Sequence, residues 1–196
     1  MSNERLKRHI AQEAARIIAE EGVSDYRFAK QKAAARLGAG TKTSLPANRE
    51  VEAALQEHLR LFHADTQPGQ VRAMRETALR IMSQLETFQP RLVGAVLRGT
   101  ADQDTPIELH LFADAPEEIA FFLLDRHINY DPREHRWRRG EETITTPVFV
   151  LDFDQYEVRL HVFPLLGLRK APLCPVERRS MQRADRAKVK WLLGNP

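Results

Sequence analysis

The sequence predicts an α+β fold, with a helical N-terminal half followed by a small mixed β-sheet flanked by helices. Three observations carry that reading. Apolar residues recur at helical spacing as far as Phe88, Pro90 interrupts the pattern, and beyond it the period shortens to two. With 196 residues, 42% of them apolar, the chain has enough material for a real core. The expected organisation is a helical region over 1–89, an α/β domain over 90–168 and a basic helical tail over 169–196.

In the first half, Leu6, Ile10, Ala14, Ile17 and Ile18 line one helix face, and Gly22 stops that helix. Ser24 and Asp25 are cap candidates for a second helix that buries Phe28, Ala33, Ala34 and Leu37 and ends at Gly38. After a polar stretch with Gly40 and Pro46, Asn48 is the expected cap of a third helix carrying Val51, Ala54, Leu55, Leu59 and Phe62. Gln67-Pro68-Gly69 reads as punctuation. A fourth helix then runs through Val71, Met74, Ala78, Ile81, Met82, Leu85 and Phe88. These four helices are expected to pack together.

From residue 91, Leu92 to Leu97 reads as one buried strand, and Ile107, Leu109 and Leu111 alternate with Glu108, His110 and Phe112 as a second. Asp114 is the expected cap of a helix with Pro116 in its first turn. Residues 127–139 suggest an edge strand ending at Trp137. Val148–Phe153 and Tyr156–Phe163 are strands joined by a tight turn at Asp154-Gln155, which sets Asp152 opposite Glu157. Val176 to Leu193 reads as a basic helix.

Composition excludes several classes. One Cys, Cys174, cannot make an internal disulfide, and no apolar run reaches the roughly 18–20 residues that span a membrane. The N-terminus lacks the apolar core of a secretion signal, so a reducing, cytoplasmic setting is expected. Charge is unevenly spread. Residues 1–63 hold 11 Lys/Arg against 8 Asp/Glu, residues 64–163 hold 11 against 17, and residues 164–196 hold 8 against 2. Basic ends around an acidic centre suit a polyanionic partner, or else two solvated helix faces.

The chemistry-bearing stretch is Leu92-Val93-Gly94-Ala95-Val96-Leu97-Arg98-Gly99-Thr100, followed after a polar loop by Ile107-Glu108-Leu109-His110-Leu111. Here the sequence resembles the nucleotidyltransferase superfamily, in which a strand ends in Gly-Ser, a turn with another Gly follows, and the next strand carries Asp-x-Asp. Gly94-Ala95 falls at the Gly-Ser position, Gly99 at the second Gly, and Glu108-Leu109-His110 at Asp-x-Asp. The resemblance covers roughly residues 90–165. The whole chain resembles a proteobacterial set of such proteins with a helical front half. It implies a nucleotidyltransferase-like sheet with Gly94, Ala95, Arg98, Gly99, Thr100 and Arg159 as nucleotide-binding candidates. It also implies Glu108 as the catalytic carboxylate, Asp152 or Glu157 as its partner on a neighbouring strand, and Mg²⁺ or Mn²⁺ as cofactor. Residues two apart on a strand share a face, and carboxylates so placed hold divalent ions about 3.5–4 Å apart that clamp a triphosphate.

The sequence departs from that pattern where the chemistry is most demanding. Ala95 lacks the expected hydroxyl. His110 replaces a carboxylate, and a neutral imidazole is a poor Mg²⁺ ligand. A second pattern, Arg159-Leu160-His161-Val162-Phe163, repeats the alternation of Glu108 to Phe112. If the strands are neighbours, Glu108, His110 and His161 are candidate ligands for Zn²⁺ or another transition metal, or else form a polar face where His and Arg neutralise Glu108. His58, His63 and His135 read as scattered, and Cys174 lacks an activating base.

Two further patterns do not hold. Gly38-Ala39-Gly40-Thr41-Lys42-Thr43 lacks the Gly before Lys, and the preceding strand, that a phosphate loop needs. Ala14 to Val23 resembles the first helix of tetracycline-repressor-type regulators, and Arg27, Lys30, Lys32, Arg36 and Lys42 follow it; residues 38–48, however, read as a loop where a recognition helix is required. The expected function is therefore nucleotidyltransferase-like. It is either a metal-dependent transferase of unspecified acceptor or, preferred because of His110, a degenerate non-catalytic nucleotide-binding or regulatory descendant. The rival is a non-enzymatic regulatory protein binding nucleic acid or protein through its basic ends.

Overall fold

The chain, seen in a computed structural model that describes residues 3–23, 25–39, 43–139, 142–176 and 179–195, is α+β, with helices throughout its N-terminal half and a mixed sheet after it. Ser24, Gly40, Thr41 and Lys42 lie outside the described residues. Helices α1 (Asn3–Glu21), α2 (Tyr26–Arg36) and α3 (Asn48–Phe62) form where the apolar spacing predicts them. Their inner faces meet in one core: Ile10, Ala14, Ile17 and Ile18 against Ala29, Ala33, Val51, Leu55 and Leu59. Gly22 and Gly38 follow α1 and α2 with φ of 65° and 63°, a left-handed conformation in which glycine is unstrained. Asp25 caps α2, accepting from the Arg27 and Phe28 amides.

The third cap differs from expectation. Ala47 is the cap residue and Glu50 reaches back to its amide at 2.6 Å, while Asn48 accepts from Lys30 Nζ and donates to the Pro175 carbonyl. A first-turn glutamate thus does the work assigned to Asn48. Gln67-Pro68-Gly69 is not a break either; it forms the first turn of α4 (Gln67–Gln84), where Pro lacks only an amide that has no helical partner. That helix ends earlier than expected, and a 3-10 turn over Glu86–Phe88 leads to Pro90.

The chain divides into two compact units, Met1–Gln67 with Pro175–Glu177 and Pro68–Cys174 with Arg178–Pro196. Residues 68–84 of α4 therefore join the sheet rather than a four-helix pack. Val71, Met74, Ala78, Ile81 and Met82 share a core with Leu109, Leu111, Val158 and Leu160. The change in hydrophobic period near residue 90 marks a change of element type, not of packing unit.

The sheet contains β1 (Arg91–Val93), β2 (Ile107–Phe112), β3 (Asp131–Arg139), β4 (Glu142–Phe153) and β5 (Tyr156–Phe163), in the order β1-β2-β5-β4-β3. Only β2 and β5 are parallel. The expected strand over Leu92–Leu97 is instead a three-residue strand followed by the short helix α5 (Gly94–Arg98). Gly94, at φ 74°, turns the chain out of the strand, and Ala95 to Leu97 then follow helical propensity. Helix α6 (Pro116–Asp125) is capped by Ala115, with Glu118 accepting from its amide, rather than by Asp114. The edge strand β3 runs two residues past Trp137, and β4 begins six residues before Val148. Among the described residues of the basic tail, the helix is α7 (Arg186–Gly194); before it, Leu173 bridges Ser180 and Ala184 bridges Leu92. Among the described residues no helix is long and apolar enough to cross a membrane.

Candidate functional site

The alternation of β2 and β5 gives the sheet two unlike faces. Ile107, Leu109 and Leu111 with Val158, Leu160 and Val162 turn to the helices and are buried. The opposite face carries Glu108, His110 and Phe112 beside Arg159, His161 and Phe163, because the parallel register pairs Glu108 with Arg159, His110 with His161 and Phe112 with Phe163. Strand β1 adds Val93 opposite Glu108, which brings Gly94 to the same place. A β-carbon on Gly94 would collide with Glu108 Oε2. Gly94, Glu108, His110, Arg159 and His161 are thus gathered on one face.

The other candidates lie farther along the same face, toward the β4–β5 turn, or on α5. Asp152 and Glu157 do sit opposite each other near the β4–β5 turn, but Glu157 accepts from Arg159 Nε at 2.7 Å and so is already neutralised. Arg98, Gly99 and Thr100 lie at the C-terminal end of α5, about 7 Å of helix from Gly94. Gly99, at φ 80°, ends α5, so Gly94 and Gly99 do not form one turn. Arg75, which the sequence does not single out, stabilises this end. Buried in α4, it donates to the carbonyls of Val96 and Leu97, each at 3.1 Å.

Three residues missing from the sequence reading complete the face. His135 is not scattered: its ring centroid lies 5.3 Å from that of His161 and 4.2 Å from that of Trp137. Trp137 packs edge-on against His110 and His161 and donates its indole N–H to Thr146 Oγ1. The period-two run Arg133, His135, Trp137 on β3 carried this signal. Arg183 enters from the irregular segment before α7, where no periodicity announces it. Its guanidinium packs over Phe112 and Phe163, its Nε donates to His110 Nδ1 at 2.9 Å, and its Nη1 donates to the Gly167 carbonyl.

The electrostatics follow from these neighbours. Burial pushes the Glu108 carboxyl up, but His161, whose Nε2 is 3.5 Å from Oε1, outweighs it together with Arg159 and His135; the group is held below the ordinary carboxylate range. Burial, and then Arg183, His161 and His135, push His110 well below the usual imidazole value, so it is neutral at neutral pH. Burial and the like charge of Arg91 push Arg183 down to about 10. Among the described residues no three His, Cys, Asp or Glu side chains form a metal-binding group. Glu108, His110 and His161 share the face, yet His110 Nδ1 is taken by Arg183.

Three cations of the basic run in the other unit, Lys30, Lys32 and Arg36, have partners within it. Lys32 bonds Glu21 at 2.5 Å, Arg36 pairs with Glu21 and Glu13, and Lys30 donates to Pro46 and Asn48. Comparison of the chain with protein-family models, with curated proteins and with solved structures gives no match.

Proposed function

We propose that this chain is a nucleotidyltransferase-like protein that binds a nucleotide and does not transfer it. One observation carries the reading. The glycine that opens α5 lies against the carboxylate of Glu108, as the resemblance requires, while the position of the second acid, two residues along the same strand, holds His110.

The residues do not fit a two-ion Mg²⁺ or Mn²⁺ centre. Such ions take oxygen ligands, and Glu108 is the acid on this stretch of the face. Arg159 stands in register with it, and the nearest further carboxylate, Glu157, is bonded to that same guanidinium. A cation at Glu108 would be opposed by the charge of Arg159. No transfer step follows from this arrangement. What remains is recognition: Gly94 and Ala95 give close backbone approach, and Arg159 supplies a guanidinium for phosphate oxygens.

Calorimetry with each common nucleoside triphosphate, with and without Mg²⁺ or Mn²⁺, tests the reading beside an α-labelled transfer assay. The expected result is binding that is no stronger with the metal, weakened about tenfold in Arg159→Ala, and no transfer. Robust transfer that disappears in Glu108→Ala overturns the non-catalytic reading. Absence of nucleotide binding overturns the nucleotide reading altogether.

A further inference from the structure

Two helices of the unit that holds the sheet, α6 and α7, bury one face each in its core and leave the opposite face uncovered. On α6, Ile119 and Leu123 are buried, while Phe121 and Leu124 are 65% and 55% exposed. On α7, Val189 is buried and Trp191 is 53% exposed. Phe121 and Leu124 are three residues apart on a helix and so form one patch. Apolar patches rimmed by polar residues, and half-exposed tryptophans above all, mark interaction surfaces.

The two faces carry opposite charge. On α6, Glu117 lies one turn before Phe121 and Asp125 one turn after it, so acids bracket the apolar stripe. Both are exposed, and neither forms an ion pair among the described residues. The cation at that end of the helix, Arg126, packs over the Phe122 ring instead. On α7, Ala187 lies one turn before Trp191, and Lys188 and Lys190 flank the stripe they form. Lys188 Nζ is 3.7 Å from the Trp191 ring centroid, and neither lysine has a carboxylate partner among the described residues. Other charges beside α7 are already matched: Arg186 pairs with Glu86, and Arg72 with Glu76. A further exposed apolar pair, Leu61 and Phe62 on α3, lacks this signature, because Arg60 beside it is neutralised by Glu57.

We propose that the chain self-associates by packing α6 of one protomer against α7 of its partner. Phe121 and Leu124 then cover Trp191 and Ala187, and the acids of one helix meet the lysines of the other at the rim. A two-fold axis that makes this contact also makes its reciprocal, α7 on α6, so both patches of each protomer are covered and the assembly closes as a dimer. The charges disfavour the alternatives, since α6 on α6 and α7 on α7 each bring like charges together.

Analytical ultracentrifugation of the full chain over a wide range of concentration tests this. The wild type should show a monomer–dimer equilibrium that weakens as salt is added. Trp191→Ala should raise the dimer dissociation constant about tenfold, as should Phe121→Ser together with Leu124→Ser. Charge reversal then identifies the pairing. A chain with Glu117→Lys and Asp125→Lys has two basic faces, and a chain with Lys188→Glu and Lys190→Glu has two acidic ones. Each alone should be monomeric, and an equimolar mixture should regain the dimer, because each variant supplies the charge the other lacks. That recovery also shows that both variants are folded. A wild type that stays monomeric at every concentration overturns the proposal and leaves the two faces to a different partner. A dimer that either charge-reversed variant retains, or a mixture that stays monomeric, overturns the α6–α7 pairing. None of these readouts involves a nucleotide, so the result stands apart from the nucleotide reading.

Discussion

Arg159 stands directly across the parallel β2–β5 ladder from Glu108, yet its guanidinium is bonded to Glu157, two residues along its own strand. The three side chains share a face; the cation is bonded to Glu157 and acts on Glu108 through its charge alone. That relationship has a pH signature. His161, Arg159 and His135 together hold the Glu108 carboxyl below its unfolded value against burial. A depressed carboxyl contributes stability that is complete above its unfolded value, roughly pH 4–4.5, and is lost as pH falls toward its folded value. The wild type should therefore lose more stability than Glu108→Gln on going below about pH 4.5, with Arg159→Ala intermediate. Urea unfolding at stepped pH measures this, and parallel curves for wild type and Glu108→Gln would contradict it.

Gly94→Ala tests the close approach at the start of α5. Gly94 has φ 74°, which costs an L-residue about 1–2 kcal/mol, and the new methyl group meets Glu108 Oε2. Destabilisation should exceed that backbone cost, because the carboxylate must also move. In Glu108→Ala the same substitution should cost only the backbone part. Additive effects in this double-mutant cycle would show that Gly94 and Glu108 do not interact.

Much of this arrangement was legible in the sequence because period two is unambiguous. Glu108 and His110 fall on one face of their strand, and Arg159 and His161 on one face of theirs; the parallel β2–β5 pairing then joins the two, and Asp152 faces Glu157 once the turn has two residues. The errors cluster where local signals compete. The apolar run from Leu92 to Leu97 fits a strand or a buried helix equally, and only Gly94's left-handed backbone divides it. Helix α4 has the same periodicity whether it packs on helices or on a sheet, so its partner was not readable. Arg183 reaches His110 from 73 residues away on irregular chain, and no local pattern encodes such a contact.

Arg75 should prove a stability residue despite its charge. It is 9% exposed and donates to the Val96 and Leu97 carbonyls, which lack helical partners at the end of α5. Arg75→Met keeps much of the volume and removes both bonds, leaving buried carbonyls unsatisfied. A loss of about 2–4 kcal/mol is expected from chemical denaturation. Arg75→Lys, which can reach one carbonyl but not both with a point charge, should recover part of it. A loss below about 0.5 kcal/mol for Arg75→Met would show that water replaces the guanidinium at no cost.

His110→Asp restores, on paper, the pair of acids two residues apart that a divalent-metal site wants. The neighbours of His110 argue that restoration will fail. Arg183 Nε, now 2.9 Å from the imidazole, would pair with the introduced carboxylate, and an acid bonded to a guanidinium is a weak ligand for Mn²⁺. The variant should fold, since a part-buried cation gains a counter-ion, but should bind Mn²⁺ no better than wild type by electron paramagnetic resonance. Adding Arg183→Ala frees the new carboxylate beside Glu108, and Mn²⁺ binding should then rise. Tight Mn²⁺ binding by His110→Asp alone would show that Arg183 does not control this face, and would return the site to the metal-dependent plan.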